Sequence, residues 1–323
     1  MKQARFIASR QQRWDDYLDL LKALRQRKRE RTAQDDFPGH YRRLCNDLAL
    51  ARSRGYSLQL INQLQQWVIE GHALLYRPRG SLIENMVEFF RHDFPEMVRQ
   101  EWRLTLICTL MLFGPMIWLL YHIGTTPEFV YRVLSPDAII NYEQMYSRPA
   151  GGRDADDQFF MFAFYIMNNI GVALRTFAGG LLFGIGSAVI LLFNGVTIGA
   201  VAAHLSFEGY HENFWAFVIG HGAFELPAIV LAGVAGFRLG LALILPGPYR
   251  RLEALRLAAK RAVKLLYGVM AMLLLAAGLE AFWSAGAAPA SVKFTIGSAL
   301  WLAVLAYFVL AGRGRNRGPA HAD

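Results

Sequence analysis

Residues 214–237 read FWAFVIGHGAFELPAIVLAGVAGF, a stretch whose only ionisable side chains are His221 and Glu225. A helix needs roughly 20 predominantly apolar residues to cross the hydrocarbon of a bilayer, so this stretch predicts a transmembrane helix. Working outward, similar runs occur at 104–123, at 170–193 with Arg175 near its start, at 265–283 with Glu280 near its end, and at 294–311. One further apolar stretch, 195–205, is too short to span alone at about 1.5 Å of rise per residue. The whole chain of 323 residues is 54% hydrophobic and 18% charged, with a mean hydropathy of +0.24. Soluble domains carry about 25% charge. An all-soluble enzyme, a disordered chain and a disulfide-stapled secreted domain are therefore excluded. Cys45 falls in a polar segment and Cys108 in an apolar one, so they are not expected to pair.

Loop charge orients the spans, because Lys and Arg accumulate on the cytoplasmic side. The segment 238–264 carries Arg238, Arg250, Arg251, Arg256, Lys260, Arg261 and Lys264 against Glu253, and the tail carries Arg313, Arg315 and Arg317. The 124–165 loop holds three Arg against six Asp/Glu, the next loop has Glu208 and Glu212, and 284–293 has only Lys293. Placing every basic segment inside requires an even number of crossings. Six result when 195–205 is counted, with both termini cytoplasmic and a turn at Asn194-Gly195. The net charge of +9 is read as topological, not as a nucleic-acid footprint. The dense glycines Gly179, Gly180, Gly184, Gly186, Gly195 and Gly199 fit either close helix approach or a broken, re-entrant hairpin at a transport site. An amphipathic segment at 159–167 is expected to return the long loop to the outer surface.

Residues 1–103 carry nineteen Lys/Arg against thirteen Asp/Glu and read as helical. Trp14, Leu18, Leu21 and Leu24 recur at helical spacing before the basic run Arg25, Arg27, Lys28, Arg29 and Arg31. Pro38-Gly39 is expected to break the pattern, with a second helix at 41–54. A third, capped by Ser57, presents Leu60, Ile61, Leu64, Trp67 and Val68. After Pro78 and Gly80, a fourth near 81–94 has a broad apolar face. It suits either an interfacial position or packing on the other three.

Ionisable groups inside a bilayer are costly, about 2.5–3.5 kcal/mol each near the centre. On this topology Asn168, Asn169 and Arg175 start the second span on the outer side, with Asn194 at the inner turn. His204, His221, Glu225 and Glu280 fall in the outer half of later spans. His221 and Glu225, four apart, share a helix face, and Pro227 removes the hydrogen bond to the Ala223 carbonyl. Arg175 is expected to pair with Glu225 or Glu280. These eight residues are the candidate substrate- or ion-binding cluster; a register-fixing structural network is the alternative. The His-Glu-x-x-His of zinc proteases, a nucleophile elbow and a P-loop are missing. The expectation is accordingly no catalytic residue, no metal site and no cofactor, with an intramembrane metallohydrolase using His204, His221, Glu225 and Glu280 as a further alternative.

One succession of residues is recognisable as a whole. Asn168-Asn169 leads to Phe177, Gly180 and Gly184, then Asn194-Gly195 and Gly199. His221-Gly222-x-x-Glu225-Leu226 and Gly233-x-x-Gly236 follow, then Pro246-Gly247 with Arg251, then Ala277 and Glu280. It resembles the stage II sporulation protein M (SpoIIM) family from about Phe94 to Trp283. Phe94-Pro95-x-x-x-Arg99, Phe6 and Trp14 are similar to its longer bacterial members. The resemblance implies an integral cytoplasmic-membrane protein, not itself an enzyme. The namesake recruits a peptidoglycan amidase and a lytic transglycosylase to the membrane during engulfment. The basic head is larger than the namesake's.

The expected fold is therefore all-α and polytopic, with about six transmembrane segments, one of them a short stretch that either spans or re-enters. The expected domains are a basic cytoplasmic helical region (1–103), a transmembrane SpoIIM-like domain (104–311) and a basic tail (312–323). The expected function is a non-enzymatic scaffold or anchor of an envelope-remodelling or stress-response assembly in the bacterial inner membrane. A channel or transporter with a polar intramembrane site is the alternative. Membrane lipids, further copies of the chain and peptidoglycan-remodelling or other envelope proteins are the expected partners; nucleic acid is not.

Overall fold

The computed structural model describes residues 3–25, 31–75, 82–148, 151 and 154–313; among them are helices and turns and no strand. The chain divides into two compact units, Met1–Asn85 and Met86–Asp323. Both cysteines are free.

The first unit is built from α1 (Gln3–Ala8), α2 (Gln11–Arg25), α3 (Arg31–Ser53) and α4 (Leu58–Leu75). Helical spacing places Trp14, Tyr17 and Leu21 of α2 on one buried face, against Phe6, Phe37, Leu44, Leu48, Leu60 and Leu64. The Ser57 hydroxyl caps α4 by accepting from the Leu60 N–H at 3.4 Å. Among the described residues of this unit one carboxylate, Asp47, is buried. It accepts from Arg10 Nη1 at 2.8 Å and from the Trp14 indole N–H at 3.0 Å. The expected break at Pro38-Gly39 does not occur, since α3 runs through it. Proline removes one helical hydrogen bond, and the neighbouring Phe37, stacked on Tyr17 at 5.5 Å, holds the segment to the core. The basic run 25–31 lies outside the described residues apart from the backbone of its two ends. Pro78 and Gly80 lie outside them entirely.

The second unit begins with the end of α5 (Leu82–Glu88), a π-helical turn at Phe89–Asp93 and α6 (Phe94–Gln100). Leu82, Ile83, Met86 and Val87 are exposed. Phe94, by contrast, is buried, with Phe89 and Phe308 rings at 5.8 and 5.7 Å. Then come α7 (Trp102–Thr125), α8 (Pro136–Tyr146), α9 (Ala155–Ala178), α10 (Ile185–Phe207), α11 (His211–Ile244), α12 (Arg251–Gly278) and α13 (Ala290–Leu310). Six helical segments are long and apolar enough to cross a membrane: Trp102–Thr125, Asp156–Leu181, Ile185–Phe207, His211–Ile244, Arg251–Ser284 and Ala290–Leu310. The protein is an all-α polytopic membrane protein.

The number of spans agrees with the sequence reading, but several boundaries move: the second span runs from 156 to 181 and not from 170 to 193, the third starts at 185 and not 195, the fourth runs on to 244, and the fifth starts at 251 and not 265. The run 170–193 is not one helix. The chain reverses at residues 182–184, where Gly184 takes φ +85° and Phe183 φ 55°, a left-handed conformation that glycine adopts at little cost. Residues 159–167 are consequently the start of a span, not an amphipathic return to the surface. Residues 195–205 are the second half of α10, whose 23 residues reach about 35 Å. No turn forms at Asn194-Gly195. The glycines there serve close approach instead. A Cβ on Gly199 would lie 2.6 Å from the Met116 Cα, and one on Gly195 would collide with the Leu112 carbonyl of α7.

Helix α11 is the axis of the bundle and packs on all five other spans. At the end of the bundle where α7 begins, Arg238 and Glu101 form a two-pronged ion pair, with Nε–Oε1 at 2.6 Å and Nη2–Oε2 at 2.5 Å. Arg99 Nη1 donates to the Phe308 carbonyl at 2.9 Å. At the opposite end α8 is tied down: Glu143 meets His204 Nε2 at 2.8 Å, and the Asn213 amide donates to the Tyr146 carbonyl at 2.9 Å.

Candidate functional site

The polar residues of the central helix set the site. His221 and Glu225 lie on one face of α11, as their spacing requires; His221 is buried and Glu225 half-buried. The second contribution comes from the end of α12, where the helix widens into a π-helical turn at Leu279–Ser284. Such turns are often found at functional sites. Here the turn brings Glu280 and Ser284 against α11. The Ser284 hydroxyl lies 3.1 Å from His221 Nδ1. His221 Nε2, on the other side of the ring, stands 3.9 Å from a Glu225 oxygen, which is beyond hydrogen-bond length. One donor atom each of His221, Glu225 and Glu280 all fall within 4.8 Å of one another. The Phe217 ring packs edge-on to the imidazole at 5.4 Å. One nitrogen and two carboxylate oxygens thus converge from two helices, an arrangement able to hold a proton or a cation.

A cation supports the π-helical turn from behind. Lys293, in the first turn of α13 and buried, donates to the Ser284 and Gly286 carbonyls, each at 2.8 Å. The last carbonyls of a helix lack intrahelical partners, and basic side chains are suited to filling that role. Ser284 and Lys293 do not figure among the sequence candidates. Ser284 was legible as the residue four after Glu280. Lys293 was legible as the single charge in an otherwise apolar connection.

The other sequence candidates lie elsewhere. Arg175 does not pair with Glu225 or Glu280: it is exposed on α9, and its Nε donates to the Gly171 carbonyl of its own helix at 3.0 Å. Because α9 starts at residue 155, Arg175 falls near the end of its span and not at its beginning. Asn194 is mid-helix, its amide donating to the Ile190 carbonyl at 2.8 Å. His204 belongs to the Glu143 pair. Asn168 donates to the Asn169 side-chain oxygen at 2.9 Å; Asn169 is buried, and its Nδ2 is without a hydrogen-bond partner. Three of the eight candidates therefore come together.

The profile of the family described as stage II sporulation protein M matches residues 105–285, more than half of the chain. The chain belongs to this family. The matched SpoIIM region begins within α7, ends just after the π-helical turn and contains His221, Glu225, Glu280 and Ser284. Residues 4–77 match a separate domain of unknown function, nearly coextensive with the first unit. An uncharacterized protein of Methanocaldococcus jannaschii is 31% identical over 81 residues, which are 25% of this chain and 46% of that protein. The chain thus matches about half the length of this relative. No solved structure matches.

Proposed function

We propose that this SpoIIM-family protein is a non-enzymatic anchor of the bacterial cytoplasmic membrane, holding partners of an envelope-remodelling or stress-response assembly through its helical head. The observation that carries the reading is the division of the chain into two units with separate cores. A head built around Phe6, Trp14, Tyr17 and Leu64 is joined to a six-span bundle. A head with its own core can present a docking surface without help from the spans. Membership of a family whose namesake recruits peptidoglycan-remodelling enzymes supports the same reading. The end of the bundle with Arg99, Arg103, Arg250, Arg251 and Arg313 faces the cytoplasm, following the basic-loop rule. On this reading both termini are cytoplasmic. Membrane lipid surrounds the spans, and further copies of the chain associate through them.

The test uses the full chain with charge reversal at Asp15, Asp16 and Asp19, which are exposed along α2. Cross-linking in native membranes should recover defined envelope proteins with the wild type and lose them with the reversal, at equal membrane levels of the two proteins. Recovery unchanged by the reversal, or of lipid alone from the wild type, counts against the anchor.

A second reading, an ion channel or transporter, is favoured by the convergence of His221, Glu225 and Glu280 within the spans. Equal liposome flux for wild type and Glu225→Gln would remove it.

A further inference from the structure

The sequence alone offers no metal-ligand spacing, because the ligand set is split between two helices 55 residues apart (280 − 225). We propose that His221 Nε2, Glu225 and Glu280 form a binding site for one divalent first-row transition cation, zinc or a close relative. The proposal is independent of the anchor reading and concerns only the span unit.

Three observations converge on it. The first is the mutual reach of the donor atoms, all within 4.8 Å. Bonds of about 2.0–2.2 Å from nitrogen and oxygen to zinc bring such atoms onto one ion after side-chain rotations of less than a bond length. The second is the separation of His221 Nε2 from Glu225, at 3.9 Å. Two groups meant for each other would close to about 2.7–2.9 Å, the length of a charge-assisted hydrogen bond. Two ligands of a shared ion stand apart because the ion lies between them. The third is the outer support. A metal-binding histidine almost always uses its second ring nitrogen for a hydrogen bond that fixes ring orientation. Ser284 Oγ holds that position at Nδ1, at 3.1 Å, and Ser284 is itself held through its carbonyl by Lys293. The ring is thus turned so that Nε2 faces the Glu225 carboxylate.

The donor set selects the ion class. An imidazole is a poor ligand for calcium and magnesium, which take oxygen donors. The absence of thiolate or thioether from the trio disfavours copper(I). One nitrogen and two carboxylates suit a borderline divalent cation. Three protein ligands leave a position open for water or for a group from a partner.

The experiment uses the full chain, free of any histidine tag, in lipid nanodiscs, with zinc and cobalt(II) as probes. Equilibrium dialysis against zinc should load one ion per chain in the presence of excess magnesium. His221→Ala, Glu225→Gln and Glu280→Gln should each weaken binding by tenfold or more, and Ser284→Ala, which removes only the orienting hydroxyl, by roughly tenfold. His204→Ala, at the separate Glu143 pair, should leave binding unchanged. Cobalt(II) bound to the wild type should give a nitrogen–oxygen spectrum without thiolate charge transfer. This wild-type measurement stands even where a variant fails to fold. Zinc uptake absent from the wild type, equal competition by magnesium, thiolate bands in the cobalt spectrum, or binding that survives in the well-folded Glu225 and Glu280 variants would each overturn the site.

Discussion

Replacing Lys293 by Met keeps most of the length of the side chain and removes its three donors. Two of those donors act on the carbonyls of Ser284 and Gly286, both at 2.8 Å. Hydrogen bonds to charged groups contribute about 1.5–3 kcal/mol each, and a buried acceptor left alone costs about 1–3 kcal/mol. The two carbonyls are not equivalent: Ser284 is buried, whereas Gly286 is half-buried and open to replacement by water. In membrane bundles individual hydrogen bonds average nearer 0.6 kcal/mol, because the unfolded chain in lipid also finds partners. Weighing the two, the Ser284 carbonyl accounts for about 2 kcal/mol and the Gly286 carbonyl for less than 1. Lys293→Met should therefore destabilise the bundle by roughly 2–3 kcal/mol. The assay is equilibrium unfolding in mixed micelles of increasing denaturing-detergent fraction. A loss below about 0.5 kcal/mol, the scale of a neutral surface change, would show that Lys293 does not hold the π-helical turn.

Other substitutions separate the remaining contacts. Gly199→Val forces a side chain against the Met116 backbone, 2.6 Å from where its Cβ would stand; the same unfolding titration should register a loss of about 1–3 kcal/mol. Glu101→Gln weakens the two-pronged pair with Arg238. It should cost about 1.5–3 kcal/mol, largely recovered by no substitution at Arg238 other than one that also removes that charge. Arg175→Gln should fall within about 0.5 kcal/mol of wild type, because its guanidinium is exposed and satisfied within its own helix; a large loss would restore it to the buried cluster. Asp47→Ala leaves Arg10 and the Trp14 indole without their shared acceptor. It should destabilise the head by about 3–5 kcal/mol, read as early protease cleavage between residues 1 and 85 while the span unit stays resistant.

The architecture was legible where one physical rule acted alone. Apolar run length gave α7 and α13 to within four residues of their ends and the start of α11 to within three, though α11 runs seven residues past the expected end at 237, and loop charge required an even number of crossings. The rule failed at α9, whose apolar content is the lowest of the six spans. Asp156, Asp157 and Gln158 dilute its start and Asn168 and Asn169 its middle, while residues 179–193 carry a single polar side chain, Ser187. Unbroken hydropathy therefore runs from the end of α9 into the start of α10, across the turn at Gly184. Glycine does signal the reversal, but it falls at Gly184 and not at the expected Asn194-Gly195. In a water-soluble chain so dense a cluster would mark a turn at once, but between spans it also marks close helix approach, and both occur here. Gly184 turns the chain, and Gly195 and Gly199 meet α7. Composition cannot tell these uses apart, because each depends on which backbone lies opposite.

That shift in one helix decided what could be read of the site. With α9 begun at residue 170, Arg175 stood on the outer side, where a guanidinium beside Glu225 and Glu280 made an economical network. With the helix begun at residue 155, Arg175 lies six residues from the Leu181 end of the span (181 − 175), far along the helix from its expected place. The trio that does form needed less to be seen. His221 and Glu225 follow from spacing on one helix, and Glu280 from the cost of a carboxylate near the end of another. What sequence could not supply was the π-helical turn, because the one extra residue it inserts depends on packing against α11 and not on local propensity. The same turn sets Ser284 behind the imidazole and explains why a buried lysine sits in a connection otherwise without charge. Support for the histidine is thus a property of the helix–helix interface, and substitutions at Lys293 and Ser284 should affect the trio without touching any of its three donor atoms.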